Sequence, residues 1–154
     1  MKKRENPNAV HYGTQDLEIA YAFSEKLYKE FQNFLKAVVI FGSLARKSRT
    51  GDIDVMVIVD DTSRQLSKEL VEAYRIITEK LITETSTRLH VTTLKLTTFW
   101  DYVRNSDPVA VNVLRDGFAV IDTGFFDPLQ SLLKRGKIRP SPEAIWNYYA
   151  RAPS

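Results

Sequence analysis

The stretch VVIFGSLARKSRTGDIDVMVIVDD, residues 38–61, constrains the fold more than any other part of this chain. It reads as two apolar strands, 37–41 and 53–59, joined by a polar, basic connector. Successive side chains of a strand alternate between its faces, so Asp52 and Asp54 point the same way. If the two strands are antiparallel neighbours, the end of the first lies beside the start of the second. Gly42-Ser43 and the two aspartates then share one corner of a sheet. Beyond Asp54 the second strand is apolar on both faces, which predicts a central strand covered on both sides.

That corner carries a chemistry. Gly42 permits a positive φ and a close approach of backbone to a phosphate. Backbone N–H groups there, with the start of a following short helix, would form an anion cradle, and the Ser43 hydroxyl adds a donor. Asp52 and Asp54 supply hard oxygen ligands of the kind Mg²⁺ takes alongside substrate phosphates. Together these parts describe a metal-dependent phosphoryl- or nucleotidyl-transfer site. Arg46, in the connector, has two readings: a bidentate grip on a triphosphate, or an ion pair with Asp52 or a solvent-facing side chain.

The residues Phe41-Gly42-Ser43, a spacer of eight residues, and Asp52-Ile53-Asp54-Val55 resemble the motif of the DNA-polymerase-beta-like nucleotidyltransferase superfamily. Leu44-Ala45-Arg46 and Gly51 are similar to the family as well, its small single-domain minimal nucleotidyltransferases above all. The resemblance implies an α+β fold, a small mixed sheet with helices packed on it. It also implies a metal-dependent enzyme, using Mg²⁺ or Mn²⁺, that moves a nucleoside monophosphate from a nucleoside triphosphate, ATP being the expected one, to an acceptor hydroxyl. Asp52 and Asp54 would be catalytic and hold the metal. Gly42, Ser43 and Arg46 would bind the nucleotide.

The family carries a third carboxylate at the start of the third strand, where this chain has His90. An imidazole can act as a base near neutral pH but is a poor ligand for Mg²⁺. His90 is therefore either a catalytic base or a packing residue. The departure opens an alternative function: a non-catalytic nucleotide-binding protein, the antitoxin-like partner of another protein, as minimal nucleotidyltransferases pair with HEPN-type toxins. A homodimer is a further expected assembly.

The remaining chain follows a regular order. Residues 1–13 are polar and are expected to be a flexible N-terminal arm. Thr14 is expected to cap a helix reaching residue 35, whose aromatic and aliphatic stripe packs under the sheet. A second helix over 65–85 leads to a third strand, 88–96, parallel to the second. Thr97 should cap a short helix, and Asp107-Pro108 should open another that stops at Gly117. Residues 118–122 read as a strand. Asp122 is either a turn former or a stand-in for the third carboxylate. Asp127 should cap a helix over 128–134. The nucleotidyltransferase-like domain is thus expected over 14–139. Residues 140–154 form a C-terminal extension with Trp146, Tyr148 and Tyr149, which either docks on the core or a second subunit, or stacks nucleic-acid bases behind the basic run at 134–139.

Composition narrows the setting. With 154 residues the chain suits one domain with a sizeable core. It has no cysteine, which excludes disulfides, thiolate metal sites and a cysteine nucleophile. The charge of +3 permits a polyanionic partner without demanding one. No apolar run has the length of a membrane span and the first residues lack the apolar core of a signal peptide, so a cytoplasmic protein without membrane attachment is expected.

Overall fold

The computed structural model describes residues 6–42 and 51–139. Four strands form one mixed sheet: β1 (Leu35–Phe41), β2 (Ile53–Val59), β3 (Leu89–Lys95) and β4 (Phe118–Asp122), in spatial order β3-β2-β1-β4. β1 runs antiparallel to β2 and β4, while β2 and β3 are parallel. Five α-helices accompany it among the described residues: α1 (Thr14–Phe31), α2 (Lys68–Thr85), α3 (Leu96–Arg104), α4 (Pro108–Asp116) and α5 (Phe126–Lys134). The expected α+β architecture is therefore present, with β2 inside the sheet and parallel to β3 across the α2 connection.

Strand alternation divides the core in two. Val38, Ile40, Val55 and Val57 pack with Phe23 and Leu27 of α1 and with Leu81 of α2. Val39, Met56 and Ile58 point the other way and pack with Phe99 of α3, Val113 of α4 and Phe126 of α5. Every residue of β2 is buried, because helices cover both of its faces. Asp54 shares the parity of Met56 and Ile58, and so extends the α3–α5 side of the sheet toward the strand's N-terminal end. None of the described helices is long and apolar enough to cross a membrane.

Several local expectations need correction. Gly13, not Thr14, occupies the N-cap of α1. The helix stops at Phe31 rather than residue 35, since Gln32 takes a left-handed φ of 44° and a short 3-10 turn, Gln32–Phe34, leads into β1. Residues 6–13 belong to the folded body rather than to a flexible arm. Pro7–His11 form a 3-10 turn, and buried Asn8 donates from Nδ2 to the carbonyls of Arg115 and Gly117, both at 3.0 Å. α3 begins at Leu96 and α5 at Phe126, so neither Thr97 nor Asp127 is the cap. The expected C-terminal extension, 140–154, falls outside the described residues.

Candidate active site

The β1–β2 register decides where the motif residues meet. Phe41 pairs with Asp54, so Gly42 emerges from β1 beside the start of β2, as the antiparallel reading requires. Gly42 has φ of +116°, and a Cβ placed there would lie 3.1 Å from Asp54 Oδ2. Glycine is thus required twice: by the backbone conformation and by the nearness of the carboxylate.

On its other side Asp54 pairs in register with His90 of β3. Asp54 Oδ1 lies 3.2 Å from His90 Nδ1. An ionised carboxylate only accepts, so the contact is a hydrogen bond when Nδ1 is the ring nitrogen that carries the proton, and Nε2 holds the lone pair in that neutral tautomer. Burial differs sharply between the two: the Asp54 side chain is 5% exposed and that of His90 66%. Asp52 is exposed, two residues earlier and just outside β2. Gly42, Asp52, Asp54 and His90 therefore converge at one pole of the sheet. Ser43 and Arg46 lie outside the described residues.

Asp122 is at the other pole. It pairs with Ala37, at the opposite end of β1 from Phe41, roughly 13 Å away at the usual rise per residue. Its Oδ1 accepts from the backbone N–H groups of Gly124, Phe125 and Phe126, and its Oδ2 from that of Asp127. It is the turn former of the two readings, not a replacement carboxylate.

Three residues that the motif does not contain also reach this pole. Arg88 donates from Nε to the Gly51 carbonyl at 2.6 Å and from Nη2 to Asp16 Oδ1 at 2.8 Å. Tyr12 donates its hydroxyl to the Asp116 carbonyl at 2.6 Å. Burial first, then the negative charges of Asp116 and Asp54, push the Tyr12 phenol well above its ordinary value, so it stays a donor. Arg88 was within reach of sequence reasoning, since it precedes His90 by two residues on one strand. Tyr12 and Asp16 were not, because only the packing of α1 brings them here.

A divalent cation fits this donor set. Among the described residues no three His, Cys, Asp or Glu side chains form a metal cage by themselves. Mg²⁺ does not need one, because it commonly takes one or two carboxylates and completes its shell with phosphate oxygens and water. The aspartates at 52 and 54, two residues apart and oxygen-only, suit that chemistry, and His90 suits proton handling better than coordination.

The model of the nucleotidyltransferase domain family matches residues 21–113, more than half of the chain. The chain belongs to that family, and its fold is that of the polymerase-beta-like nucleotidyltransferases. Among solved structures it is similar to a Sulfolobus solfataricus protein provisionally assigned as a nucleotidyltransferase, with 20% identity, 79% of this chain and 93% of that one covered, and a TM-score of 0.48. It is also similar to a toxin–antitoxin structure with AMP-PNP, at 18% identity, 76% and 85% coverage and a TM-score of 0.44. A third similar structure is of a tri-AMPylated HEPN toxin from Shewanella oneidensis in complex with its MNT antitoxin, at 16% identity, 78% and 84% coverage and a TM-score of 0.43. No curated protein matches the chain.

Proposed function

We propose that this protein is a metal-dependent nucleotidyltransferase that moves a nucleoside monophosphate from a nucleoside triphosphate, ATP in the first instance, to an acceptor hydroxyl in the cytoplasm. The observation that carries the reading is Asp54, a nearly buried carboxylate held between the Gly42 backbone and the His90 ring. Asp52 and Asp54 would hold Mg²⁺ or Mn²⁺. When bound, the ion supplies neutralisation of the phosphate charge that builds during transfer. Gly42 and Ser43 cradle the phosphates through backbone N–H groups and a hydroxyl, and Arg46 pairs with phosphate oxygens.

His90 serves as the base. With Nδ1–H donated to Asp54, its Nε2 takes the proton from the acceptor hydroxyl as that oxygen attacks the α-phosphorus. The bond to the β-phosphate oxygen breaks and pyrophosphate leaves. The carboxylate orients the ring and offsets the charge it gains, the same division of labour as in an Asp–His pair of a hydrolase. Positioning and fixed charge supply most of the acceleration.

A second reading rests on one observation, the imidazole where the resemblance expects a carboxylate. In it the protein binds nucleotide without turnover and acts through a protein partner of the toxin kind. Pyrophosphate release and metal-dependent nucleotide binding separate the two. For the enzyme, wild type releases pyrophosphate with an acceptor present, and Asp52→Asn and Asp54→Asn each reduce release by at least about a hundredfold. Full activity in both variants rules the site out. Tight binding without release across metals and acceptors, with His90→Ala indistinguishable from wild type, supports the second reading.

A further inference from the structure

Asp52 is exposed and stands just outside β2, next to the first main-chain bond between β2 and β3. Both peptide units flanking it are held by one residue. Arg88 Nε donates to the carbonyl of Gly51, immediately before Asp52, at 2.6 Å. The Arg88 carbonyl accepts from the N–H of Ile53, immediately after Asp52, at 2.9 Å. The guanidinium is anchored in turn by Asp16 of α1, whose Oδ1 accepts from Nη2 at 2.8 Å.

We propose that Arg88 is the positioning residue for Asp52: it clamps the backbone on both sides of that aspartate and, through Asp16, fixes it to the first turn of α1. The proposal rests on the reading of Asp52 as a metal-binding carboxylate. A guanidinium suits the task because its planar fork serves two acceptors at fixed angles, whereas a lysine ammonium reaches only one of them well. Main-chain pairing between β2 and β3 survives any substitution at 88, so a change there loosens the Gly51 side of the clamp and leaves the Ile53 side in place. The expected defect is selective. Asp52 loses its preset direction, while the nucleotide contacts at Gly42 do not change.

Calorimetric titration of a nonhydrolysable ATP analogue at increasing Mn²⁺, on wild type, Arg88→Ala, Arg88→Lys and Asp16→Asn, tests this. The Mn²⁺ concentration for half-maximal enhancement of binding should rise about tenfold or more in Arg88→Ala, as expected when a group supporting a metal ligand is removed. Arg88→Lys should fall between, and Asp16→Asn should shift in the same direction by a smaller factor. Binding without metal should stay within about twofold in all of them. Metal enhancement in wild type that is unchanged in the folded variants, with only a lowered melting temperature, overturns the clamp and leaves the metal site standing. Absence of any enhancement in wild type overturns the metal site, and the clamp with it. Should Arg88→Ala not fold, Arg88→Lys and Asp16→Asn decide by the same criterion.

Discussion

A methyl group at residue 42 would meet the Asp54 carboxylate at 3.1 Å on a backbone with φ of +116°. Gly42→Ala therefore carries two costs, a strained left-handed conformation of about 1–2 kcal/mol and displacement of the carboxylate it touches. We expect it to fold with a lower melting temperature and to lose transfer activity disproportionately, by about tenfold or more. Thermal melts beside pyrophosphate assays check this, and a variant that loses stability but keeps full activity per folded molecule contradicts it. Tyr12→Phe probes the opposite wall. It removes the hydroxyl donated to the Asp116 carbonyl and should cost about 0.5–1.5 kcal/mol, the usual net value of such a bond, readable by denaturant unfolding. At this scale the sequence was informative where chemistry is local. Gly42 and the aspartate pair follow from strand alternation and one turn. Tyr12 and Asp16 reach the site from α1 and its approach, and no short-range pattern announces that.

The acidic residues that close the elements at the far pole do a different job. Asp60 ends β2, and its Oδ1 accepts from Thr62 N, Thr62 Oγ1 and Ser63 N, while Lys36 lies 3.6 Å from Oδ2. Asp61 accepts from the backbone N–H and hydroxyl of Thr97 and so serves the first turn of α3 from a distant part of the chain. This is why Thr97 reads as a cap in sequence yet is itself the capped residue. Burial pushes the Asp60 carboxyl up, but the bonds from Ser63 and Thr62 together outweigh it and hold the group well below its ordinary value of 3.8. A depressed carboxylate stabilises the fold above its unfolded value, and that contribution fades as pH falls below it. Asp60→Ala should then be destabilised by about 1–3 kcal/mol at neutral pH, with the gap to wild type closing below about pH 4. Urea unfolding at several pH values measures it, and a gap independent of pH down to strong acid contradicts the assignment. The strands and helices themselves were legible because their apolar periods differ. Their ends were less so, since Gln32, Asp61 and Asp122 act through conformations or partners that spacing does not reveal.

For the whole molecule, the order of the strands in space explains the site. An interior β2 with an antiparallel neighbour on one side and a parallel one on the other brings the end of β1 and the starts of β2 and β3 to one pole. Three chain segments thus bring Gly42, Asp54 and His90 to one pole, as the antiparallel reading of 37–41 and 53–59 and the parallel crossover to the third strand led one to expect. What the sequence could not carry was the tie through Arg88 and Asp16, which depends on α1 packing across the sheet. The central claim is that Asp52 and Asp54 hold a divalent ion against a triphosphate seated at Gly42. A crystal grown with Mn²⁺ and a nonhydrolysable ATP analogue tests it most directly. The account predicts an anomalous manganese peak in contact with both carboxylates, with the phosphates beside the Gly42 backbone. Manganese bound elsewhere, or carboxylates turned away from a nucleotide that does bind, would contradict it.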